Sequence, residues 1–323
     1  MKNTSLHLAK VAKNDEFYTL LKDISDELKY YRESFEGKVV LCNCDDSEKS
    51  EFARYFILNF HSLKLKKLIC TFFDSTLRNS AFAFVYDGRD FNGDGKITES
   101  DIDFVRKYSI EHNRMVDDEG FDRHNPTESN KKGLYGSGDF RSVNAKMYLE
   151  MADIVVTNPP FSLFREYVAQ LMEYNKEFLI IGNMNAITYK EIFPYVMENK
   201  LWMGMTSPKE FRTPSGEITK QIGGLCRWFT NLPNQKRTEP MELWKEYNPE
   251  VYPKYDNYDA INVDKTYMIP KDYDGVMGVP ISFLDKYCPA QFKIVKFRKG
   301  NDDKDLSING VTPYFRILIQ RID

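Results

Sequence analysis

Short runs of β-branched apolar residues alternate along the chain with segments in which apolar residues recur at helical spacing. The clearest run is Ile154-Val155-Val156, which predicts a strand buried on both faces of a sheet. Because proline donates no ladder hydrogen bond, Pro159 and Pro160 end that strand. Apolar residues then recur with the period of a helix, at Phe161, Phe164, Tyr167, Val168 and Leu171. The order of strand, rigid turn and helix places Asn158 at the carboxyl end of a strand, where open α/β sheets bind their ligands.

The same alternation continues on both sides of this turn. It predicts strands at residues 38–43, 67–73 and 178–183, an amphipathic helix at residues 14–31, and another helix after residue 47. Residues 86–132 are polar, charged and rich in Asp, Asn and Gly, which is typical of an insertion. From about Leu201 onward the strands shorten and turns crowd together. The pattern therefore predicts a large α/β domain followed by a smaller lobe.

The turn after Ile154-Val155-Val156 carries groups suited to holding an aromatic amine. The amide oxygen of Asn158 and the carbonyl oxygen of Pro159 are two acceptors on a stiff frame, which matches the two hydrogens of an exocyclic NH2 group. Phe161 supplies a face on which a planar ring stacks. Accepting both hydrogens favours a tetrahedral nitrogen, whose lone pair can then attack an electrophilic methyl group. The alternative is a strand that ends in a Pro-Pro turn with a phenylalanine in the core.

Asn158-Pro159-Pro160-Phe161 resembles the catalytic motif of amino-group methyltransferases that use S-adenosylmethionine. The longer run at residues 152–167 resembles the EcoRI-type family of adenine-specific DNA methyltransferases in particular. Residues 252–259 and 274–280 also resemble that family, so the resemblance extends over about residues 15–287. The tetrapeptide alone is shared with enzymes that methylate guanine in ribosomal RNA and with protein glutamine methyltransferases.

The resemblance implies a Rossmann-like seven-stranded S-adenosylmethionine-dependent methyltransferase sheet in residues 1–200 and a C-terminal target-recognition lobe in residues 201–323. The reaction implied is methyl transfer from S-adenosylmethionine to N6 of an adenine within a specific sequence of double-stranded DNA. A base inside a duplex cannot reach such a site, so the adenine must flip out. The catalytic residues implied are Asn158, Pro159, Pro160 and Phe161. We expect a cytoplasmic monomer that serves a restriction–modification system or acts as an orphan modification enzyme.

Several segments resemble the cofactor-binding parts of these enzymes. They are Glu16-Phe17-Tyr18-Thr19, the turn Asn43-Cys44-Asp45 after the first strand, Asp74 after the second strand, and Asp139-Phe140 in a glycine-rich stretch. An acidic residue after the second strand commonly accepts from ribose hydroxyls, and Asp74 is equally suited to capping the next turn. The turn at residues 43–46 lacks the glycines that usually let the backbone approach the cofactor. Taken alone, aromatic residues before a helix are typical of a core.

Composition narrows the class of protein. Hydrophobic residues make up 42% of the 323 residues and aromatic residues 14%, which is ample for a core and argues against disorder. No apolar run reaches membrane-spanning length, and the N-terminus lacks the apolar centre of a signal peptide, so no membrane partner is expected. The five cysteines have no framework spacing, which favours reduced thiols, and the four histidines are scattered, which argues against zinc.

Charge is unevenly distributed along a chain whose net charge is −3. Residues 209–237 contain six basic residues against two acidic ones. The basic residues, which are candidates for DNA binding, are Lys209, Arg212, Lys220, Arg227, Lys236 and Arg237. A basic segment on an acidic protein suits a DNA cleft. An ordinary solvated loop explains the same charges equally well.

A calcium-binding loop is predicted inside the polar insertion. Residues 90–101 match the EF-hand or dockerin-type pattern of oxygen ligands, with Gly95 at the sharp turn. The implied ligands are Asp90, Asn92, Asp94, Lys96 through its carbonyl, Thr98 and Asp101. The residues before this loop do not predict a convincing entering helix, and methyl transfer of this kind needs no metal. A loop of the same composition without metal is the alternative.

Two other functions also fit the sequence. One is methylation of an RNA base or of a protein amide, against which the C-terminal lobe counts; incubation with plain duplex DNA distinguishes it. The other is a calcium-binding interaction protein on a methyltransferase scaffold. Such a protein would bind no S-adenosylmethionine, which calorimetry would detect.

Overall fold

A computed structural model describes residues 17–45, 49–71, 83–90, 92–103, 139–213, 215–221 and 223–322. The α-helices are α1 (Leu21–Leu28), α2 (Glu51–Leu58), α3 (Val143–Met151), α4 (Phe164–Glu173) and α5 (Phe193–Met197). The strands are β1 (Tyr18–Thr19), β2 (Val39–Cys42), β3 (Lys67–Thr71), β4 (Ala83–Tyr86), β5 (Ile154–Thr157), β6 (Glu177–Asn183), β7 (Trp202–Met203), β8 (Phe211–Arg212), β9 (Ile218–Thr219), β10 (Cys226–Thr230), β11 (Ile261–Asn262), β12 (Met277–Pro280), β13 (Phe292–Phe297) and β14 (Arg316–Arg321).

The larger sheet has seven strands in the order β4-β3-β2-β5-β6-β10-β7. Strands β3, β2, β5 and β6 run parallel to one another, whereas β4 is antiparallel to β3 and β10 is antiparallel to β6. Every residue of β2 and β5 is buried, as the apolar runs of these two strands require. The predicted α/β class and the seven-stranded sheet are confirmed, and a mixed sheet of this size is consistent with a methyltransferase fold.

The N-terminal helix is shorter than the sequence predicted. Residues 14–16 lie outside the described residues, and Tyr18–Thr19 is a strand because it pairs with Phe211–Arg212. Helix α1 begins only at Leu21, and a 3-10 helix, Lys29–Phe35, follows it. The prediction was wrong here because a partner strand from a distant part of the chain outweighs the local apolar spacing.

Helix α1 carries two buried carboxylates that hold the chain leading into β8. Asp23 accepts hydrogen bonds from the backbone N–H groups of Lys209, at 2.8 Å, and Glu210, at 3.1 Å. Glu27 accepts from both the backbone N–H and the hydroxyl of Thr206. Because hydrogen bonds to a charged partner contribute about 1.5–3 kcal/mol each, these contacts fix the position of the segment before β8. That segment in turn supplies the strand that pairs with β1.

Contacts divide the chain into two compact units. The first contains Met1–Phe193 and Thr206–Leu232, and the second contains Pro194–Met205 and Pro233–Asp323. Residues 206–232 belong to the first unit because β8 pairs with β1 and β10 pairs with β6. The units therefore interleave along the sequence, whereas the sequence predicted a single boundary at residue 200.

The second unit is built on a four-stranded sheet in the order β11-β12-β14-β13. Strands β11 and β12 are parallel, and the other two pairs are antiparallel. Leu318 of β14 is fully buried and packs in one cluster with Tyr255, Ala260 and Leu306. This part of the chain consequently has a hydrophobic core of its own.

Neither a membrane span nor a disulfide is found in the described parts of the chain. None of the helices there combines the length and the apolar character needed to cross a bilayer. The five cysteines are all free thiols, and four of them are buried. Burial raises the pKa of the Cys226 thiol, which keeps it protonated and unreactive.

Candidate active site

The Asn-Pro-Pro-Phe turn follows β5, which lies between β2 and β6 in the larger sheet. Asp153 anchors the beginning of β5, because its carboxylate accepts from the backbone N–H of Val39 at 2.8 Å. After the turn, a 3-10 helix, Phe161–Leu163, leads into α4, and the backbone N–H of Leu163 donates to the carbonyl oxygen of Pro160 at 3.0 Å. The predicted order of strand, rigid turn and helix is confirmed.

The side-chain amide of Asn158 has one end that is hydrogen-bonded and one end that is not. Its Nδ2 donates to the backbone carbonyl oxygen of Phe17 at 2.6 Å. Its Oδ1 is buried and accepts no hydrogen bond from a described residue. Leaving a buried acceptor without a donor costs about 1–3 kcal/mol, and such groups are few in native proteins. This oxygen is therefore suited to a donor that comes from outside the chain.

Phe161 and Phe164 have different positions although both follow the Pro-Pro turn. Phe164 is buried, packs on Phe229 with ring centroids 4.9 Å apart, and fills the space that Gly182 leaves open on β6. Phe161 is only half-buried and contacts no aromatic ring among the described residues. Phe164 is therefore a core residue, whereas the role of Phe161 stays a prediction. The carbonyl oxygen of Pro159 likewise accepts no hydrogen bond in the described parts of the chain.

Asp45 joins the carboxyl ends of three strands. Its buried carboxylate accepts from the hydroxyl of Thr157 at the end of β5 and, at 2.9 Å, from the hydroxyl of Ser50, which caps helix α2. The backbone N–H of Asp45 donates to the carbonyl oxygen of Thr71 at 3.1 Å. The neighbouring Cys44 is only partly buried. Side-chain bonds of Asp45 therefore stiffen this turn, in which the sequence lacks the usual glycines.

Asn43 and Tyr167 connect the turn after β2 with helix α4. The phenol of Tyr167 donates to Oδ1 of Asn43, while Nδ2 of Asn43 is buried and has no partner among the described residues. Burial raises the pKa of Tyr167, so its hydroxyl stays protonated and acts as a donor. The sequence identified Tyr167 only as an apolar-face residue of a helix. Its place in the helical series that begins at Phe161 carried no signal for this polar contact.

Phe140 lies against the same tyrosine. Its buried ring meets the ring of Tyr167 edge-on with centroids 4.9 Å apart, and its carbonyl oxygen accepts from Nε2 of Gln170 at 3.2 Å. The structure thereby brings together two of the predicted cofactor residues, Asn43 and Phe140, through Tyr167. Two others, the predicted Glu16 and Asp74, lie outside the described residues.

Asp139 is held by an arginine that the sequence reasoning missed. Arg141 donates to both carboxylate oxygens of Asp139, at 2.9 and 2.7 Å, and to Glu166 on α4 at 3.0 Å. The hydrogen bonds from Arg141 hold the pKa of Asp139 below its usual range. Asp139 is therefore an ionised acceptor fixed against α4, next to the buried ring of Phe140.

The segment before α1 lies next to the turn that is predicted to be catalytic. Phe17 provides the carbonyl oxygen that Asn158 binds, and its ring meets Phe211 edge-on at 6.5 Å between centroids. Thr19 is buried, and its Oγ1 has no partner among the described residues. Tyr18 is half-buried in β1. At least Phe17 of the predicted N-terminal cofactor segment therefore contacts Asn158 of the predicted catalytic motif directly.

Four of the six candidate DNA-binding residues lie in the first unit. Lys209 is exposed and has no carboxylate partner in the described parts of the chain. Arg212 and Lys220 lie 3.7 and 3.1 Å from carboxylates, and Arg227 is partly buried in β10. Their contact with DNA stays a prediction.

The other two candidates lie in the second unit and are engaged there. Lys236 donates to a backbone carbonyl at 2.9 Å. Arg237 donates to Asn199 at 2.7 Å and lies between the rings of Trp202 and Tyr287, 4.6 and 4.9 Å from their centroids. Burial lowers the pKa of Arg237. The six basic residues are thus divided between two units, and those at the end of the segment have structural contacts.

The loop predicted to bind calcium is closed by its own hydrogen bonds. Asp90 accepts from three backbone N–H groups at residues 92–95, at 2.7–3.1 Å. Asp101 is fully buried and accepts from Nδ2 of Asn92 and from the backbone and hydroxyl of Thr98. Each of these carboxylates therefore has donors from within the loop.

A metal site has no support in the described residues. No group of three or more His, Cys, Asp or Glu side chains is arranged there to hold an ion. Asp94 is exposed and accepts from the backbone N–H of Lys96 at 2.9 Å. Arg54 of α2 donates to Glu99 at 2.8 and 3.1 Å, which connects the loop to that helix.

The sheet and the turn together define a class of protein. A rigid Asn-Pro-Pro-Phe turn at the carboxyl end of a parallel strand, with a half-buried ring and a buried amide oxygen that has no partner among the described residues, is typical of an enzyme that methylates an amino group.

Comparisons with known proteins identify the family. The family model described as adenine-specific methyltransferase EcoRI matches residues 5–322. The chain belongs to this family and is an adenine-specific DNA methyltransferase of the Type II class, as the sequence predicted. The family implies that S-adenosylmethionine is the methyl donor and that DNA is the substrate.

Curated relatives match along most of their length. The Type II methyltransferase M.EcoRI of Escherichia coli is 46% identical over 336 residues, covering 98% of this chain and 96% of the relative. M.MpnI of Mycoplasma pneumoniae is 37% identical, with 89% and 83% covered. M.MgeORF184P of Mycoplasma genitalium is 35% identical, with 97% of each chain covered. No solved structure matches this chain.

Proposed function

We propose that this enzyme methylates N6 of an adenine that has flipped out of a specific sequence in duplex DNA, and that residues 158–161 hold the base. The observation that carries this assignment is the buried Oδ1 of Asn158, which has no donor among the described residues. The N6 amine of adenine carries two donor hydrogens, one for this oxygen and one for the carbonyl oxygen of Pro159. Phe161, half-buried and without an aromatic neighbour in the described residues, is available to stack on the base.

The chemistry follows from the hydrogen bonds of Asn158. Its Nδ2 is committed to the carbonyl oxygen of Phe17, so Oδ1 is the end that faces an incoming donor. Accepting the N6 hydrogens opposes delocalisation of the nitrogen lone pair into the ring and makes it available for attack. Extruding the base costs a few kcal/mol of unstacking, which contacts with the flipped base offset. Pro159 and Pro160 keep the acceptors in place, because their φ angles are fixed.

Residues around the turn after β2 fit S-adenosylmethionine. The buried Nδ2 of Asn43 has no acceptor among the described residues, and a carboxylate or a ring nitrogen of a ligand would supply one. Asp139, ionised and fixed by Arg141, would accept from an amine, and the buried Phe140 ring would line an adenine. When bound, S-adenosylmethionine supplies the electrophilic methyl group. The chain's own contribution is to orient the donor and the amine and to exclude water.

We further propose that the seven-stranded sheet is Rossmann-like and that the second unit acts in target recognition, with the enzyme active as a monomer. The order of the elements supports this division, because the catalytic turn and the predicted cofactor residues lie in the first unit, while the second has a separate core. A calcium ion in residues 90–101 would be structural only and would take no part in methyl transfer.

The deciding experiment is incubation of the protein with labelled S-adenosylmethionine and unmethylated duplex DNA, ribosomal RNA or a protein lysate in parallel. We expect label in duplex DNA only, and hydrolysis of that DNA should give N6-methyladenine. Sequencing of modified bases in DNA from cells that express the protein would then give the recognition sequence. Label in RNA or protein, with none in duplex DNA, would refute the proposal.

A further inference from the structure

Two exposed aromatic rings, each accompanied by a lysine, lie on the second unit. Trp244 and Tyr267 are 57% and 53% exposed, and their rings are parallel to within 7° with centroids 6.5 Å apart. Nζ of Lys245 lies 4.0 Å from the centroid of the Trp244 ring, and Nζ of Lys265 lies 5.7 Å from that of the Tyr267 ring. We call these four side chains the aromatic–lysine patch.

The two lysines of the patch differ from three other lysines of this unit, which are paired with carboxylates. Lys254, Lys271 and Lys299 each lie within 4 Å of a carboxylate. Lys245 and Lys265 have no such partner in the described parts of the chain. Contact with a ring face stabilises a cation by only about 0.5–1 kcal/mol at an exposed site and does not neutralise it. The patch therefore combines flat apolar surface with two lysines that have no carboxylate within 4 Å among the described residues.

The patch is carried by a braced stretch of backbone. The backbone N–H of Lys271 donates to the carbonyl oxygen of Lys245 at 2.8 Å. Tyr267 lies in the 3-10 helix Thr266–Met268, and the phenol of Tyr252 donates to the carbonyl oxygen of Met268 at 2.8 Å. Because these contacts fix the backbone on both sides, little conformational entropy remains to be lost when a partner binds.

We infer that the aromatic–lysine patch binds the duplex DNA substrate, with the lysines at phosphates and the rings against deoxyriboses and base edges. This inference rests on the proposed function and adds a docking surface to it. Single exposed aromatic residues are ordinary, but paired exposed rings with unpaired cations match a polyanion that also presents flat apolar groups. Lys236 and Arg237 already donate to groups of this unit. We therefore expect other residues of the second unit to contact phosphates.

A second copy of the chain is a poorer occupant than DNA. A symmetric contact would bring the patches of two copies together, and with them the lysines of both. Like charges that meet across an interface oppose association. Duplex DNA instead offers negative charge at regular spacing.

The first test measures how DNA affinity depends on salt. Neutralising one phosphate contact lowers the slope of log K against log salt by about one unit. We expect this decrease for Lys245→Gln and for Lys265→Gln, and about twice the decrease for the double variant. Lys254→Gln, in the same unit, removes an exposed lysine that is paired with Asp259 at 3.8 Å and serves as the matched control. Its slope should equal that of the wild type.

The second test removes the two aromatic rings and measures DNA affinity. Trp244→Ala and Tyr267→Ala should each weaken DNA binding about fivefold or more, the low end of what aromatic contacts contribute, while kcat at saturating DNA is unchanged. Of the three tryptophans, Trp228 is buried and Trp202 is covered by Arg237, so Trp244 reports on this surface. DNA should quench tryptophan fluorescence of the wild type, and the quenching should be lost in Trp244→Phe.

The outcomes distinguish failure of this inference alone from failure of the function on which it rests. If the wild type methylates duplex DNA but all patch variants bind it with wild-type affinity and slope, the patch is not a DNA surface. The same conclusion follows if Lys254→Gln changes the slope as much as Lys245→Gln does. Loss of self-association in the patch variants, measured by sedimentation, would assign the patch to a second copy instead. If the wild type neither binds nor methylates duplex DNA, the proposed function and this inference both fail.

Discussion

Nδ2 of Asn158 donates to the carbonyl oxygen of Phe17 at 2.6 Å, although the two residues are 141 positions apart in the sequence. This bond determines which end of the amide has no partner in the described parts of the chain, and that end is the oxygen. Phe17 immediately precedes β1, which pairs with β8, and the carboxylates of α1 hold the chain before β8. The orientation of the Asn158 amide, which we propose to be catalytic, thus depends on several elements of the first unit.

Replacing Asn158 should separate catalysis from cofactor binding. We expect Asn158→Ala to lower kcat by on the order of a hundredfold or more, because one positioned acceptor is lost from a site that excludes water. Binding of S-adenosylmethionine, measured by calorimetry, should be nearly unchanged. Asn158→Asp keeps an acceptor but loses the donor to Phe17, and we expect it to retain more activity than the alanine variant. Near-normal turnover of Asn158→Ala would show that this turn is not catalytic.

Phe161 and Phe164 offer a matched pair of ring deletions. Phe161→Ala should weaken capture of the flipped base, since stacking contributes roughly 1–3 kcal/mol, with little effect on the melting temperature. Phe164→Ala should instead lower the free energy of unfolding by about 3–5 kcal/mol, because the ring is buried against Phe229. Base-extrusion fluorescence and thermal unfolding distinguish the two effects. Unchanged extrusion and rate in Phe161→Ala would contradict the stacking role.

Tyr167→Phe should affect both stability and cofactor binding. Without the hydroxyl, the buried Oδ1 of Asn43 loses its donor, which costs about 1–3 kcal/mol of stability. Asn43 is then free to rotate, so we expect weaker binding of S-adenosylmethionine by calorimetry. The control is Tyr174→Phe, directly after the same helix. It removes a hydroxyl for which no hydrogen bond is found in the described residues. Wild-type cofactor affinity in Tyr167→Phe would remove Asn43 from the cofactor site.

Lys209 and Arg237 should respond differently to charge removal. Lys209 is exposed and unpaired in the described residues, so Lys209→Gln should lower the salt slope of DNA binding by about one unit if it meets a phosphate. Arg237→Gln should lower the melting temperature and leave the slope unchanged, because Arg237 is held between Trp202 and Tyr287. A reduced slope in Arg237→Gln without loss of stability would assign Arg237 to the DNA surface.

The loop at residues 90–101 should be stabilised by its own bonds whether or not calcium is present. Asp101 is fully buried with donors from Asn92 and Thr98. We therefore expect Asp101→Ala to lower the melting temperature equally in calcium and in chelator, while methylation at low temperature persists. A rise in melting temperature with millimolar calcium that Asp94→Ala abolishes would instead establish the metal site.

The sequence by itself determined the parts of the protein that are local in the chain. The apolar run of β5, the two prolines and the helical spacing after Phe161 predicted strand, turn and helix, because each follows from the conformational limits of neighbouring residues. The same stretch carried the resemblance to the adenine-specific methyltransferase family, which the comparison of the whole chain confirmed.

Tertiary structure alone decided which polar atoms are paired. Whether Oδ1 of Asn158 is left without a partner depends on the distant Phe17, and Tyr167 became a polar contact of Asn43 only because α4 packs beside the turn after β2. Tertiary structure also made Tyr18–Thr19 a strand, β1, where the apolar spacing predicted a helix, because these residues pair with β8. Local spacing specifies the period of an element, whereas pairing and burial depend on residues brought together from distant parts of the chain.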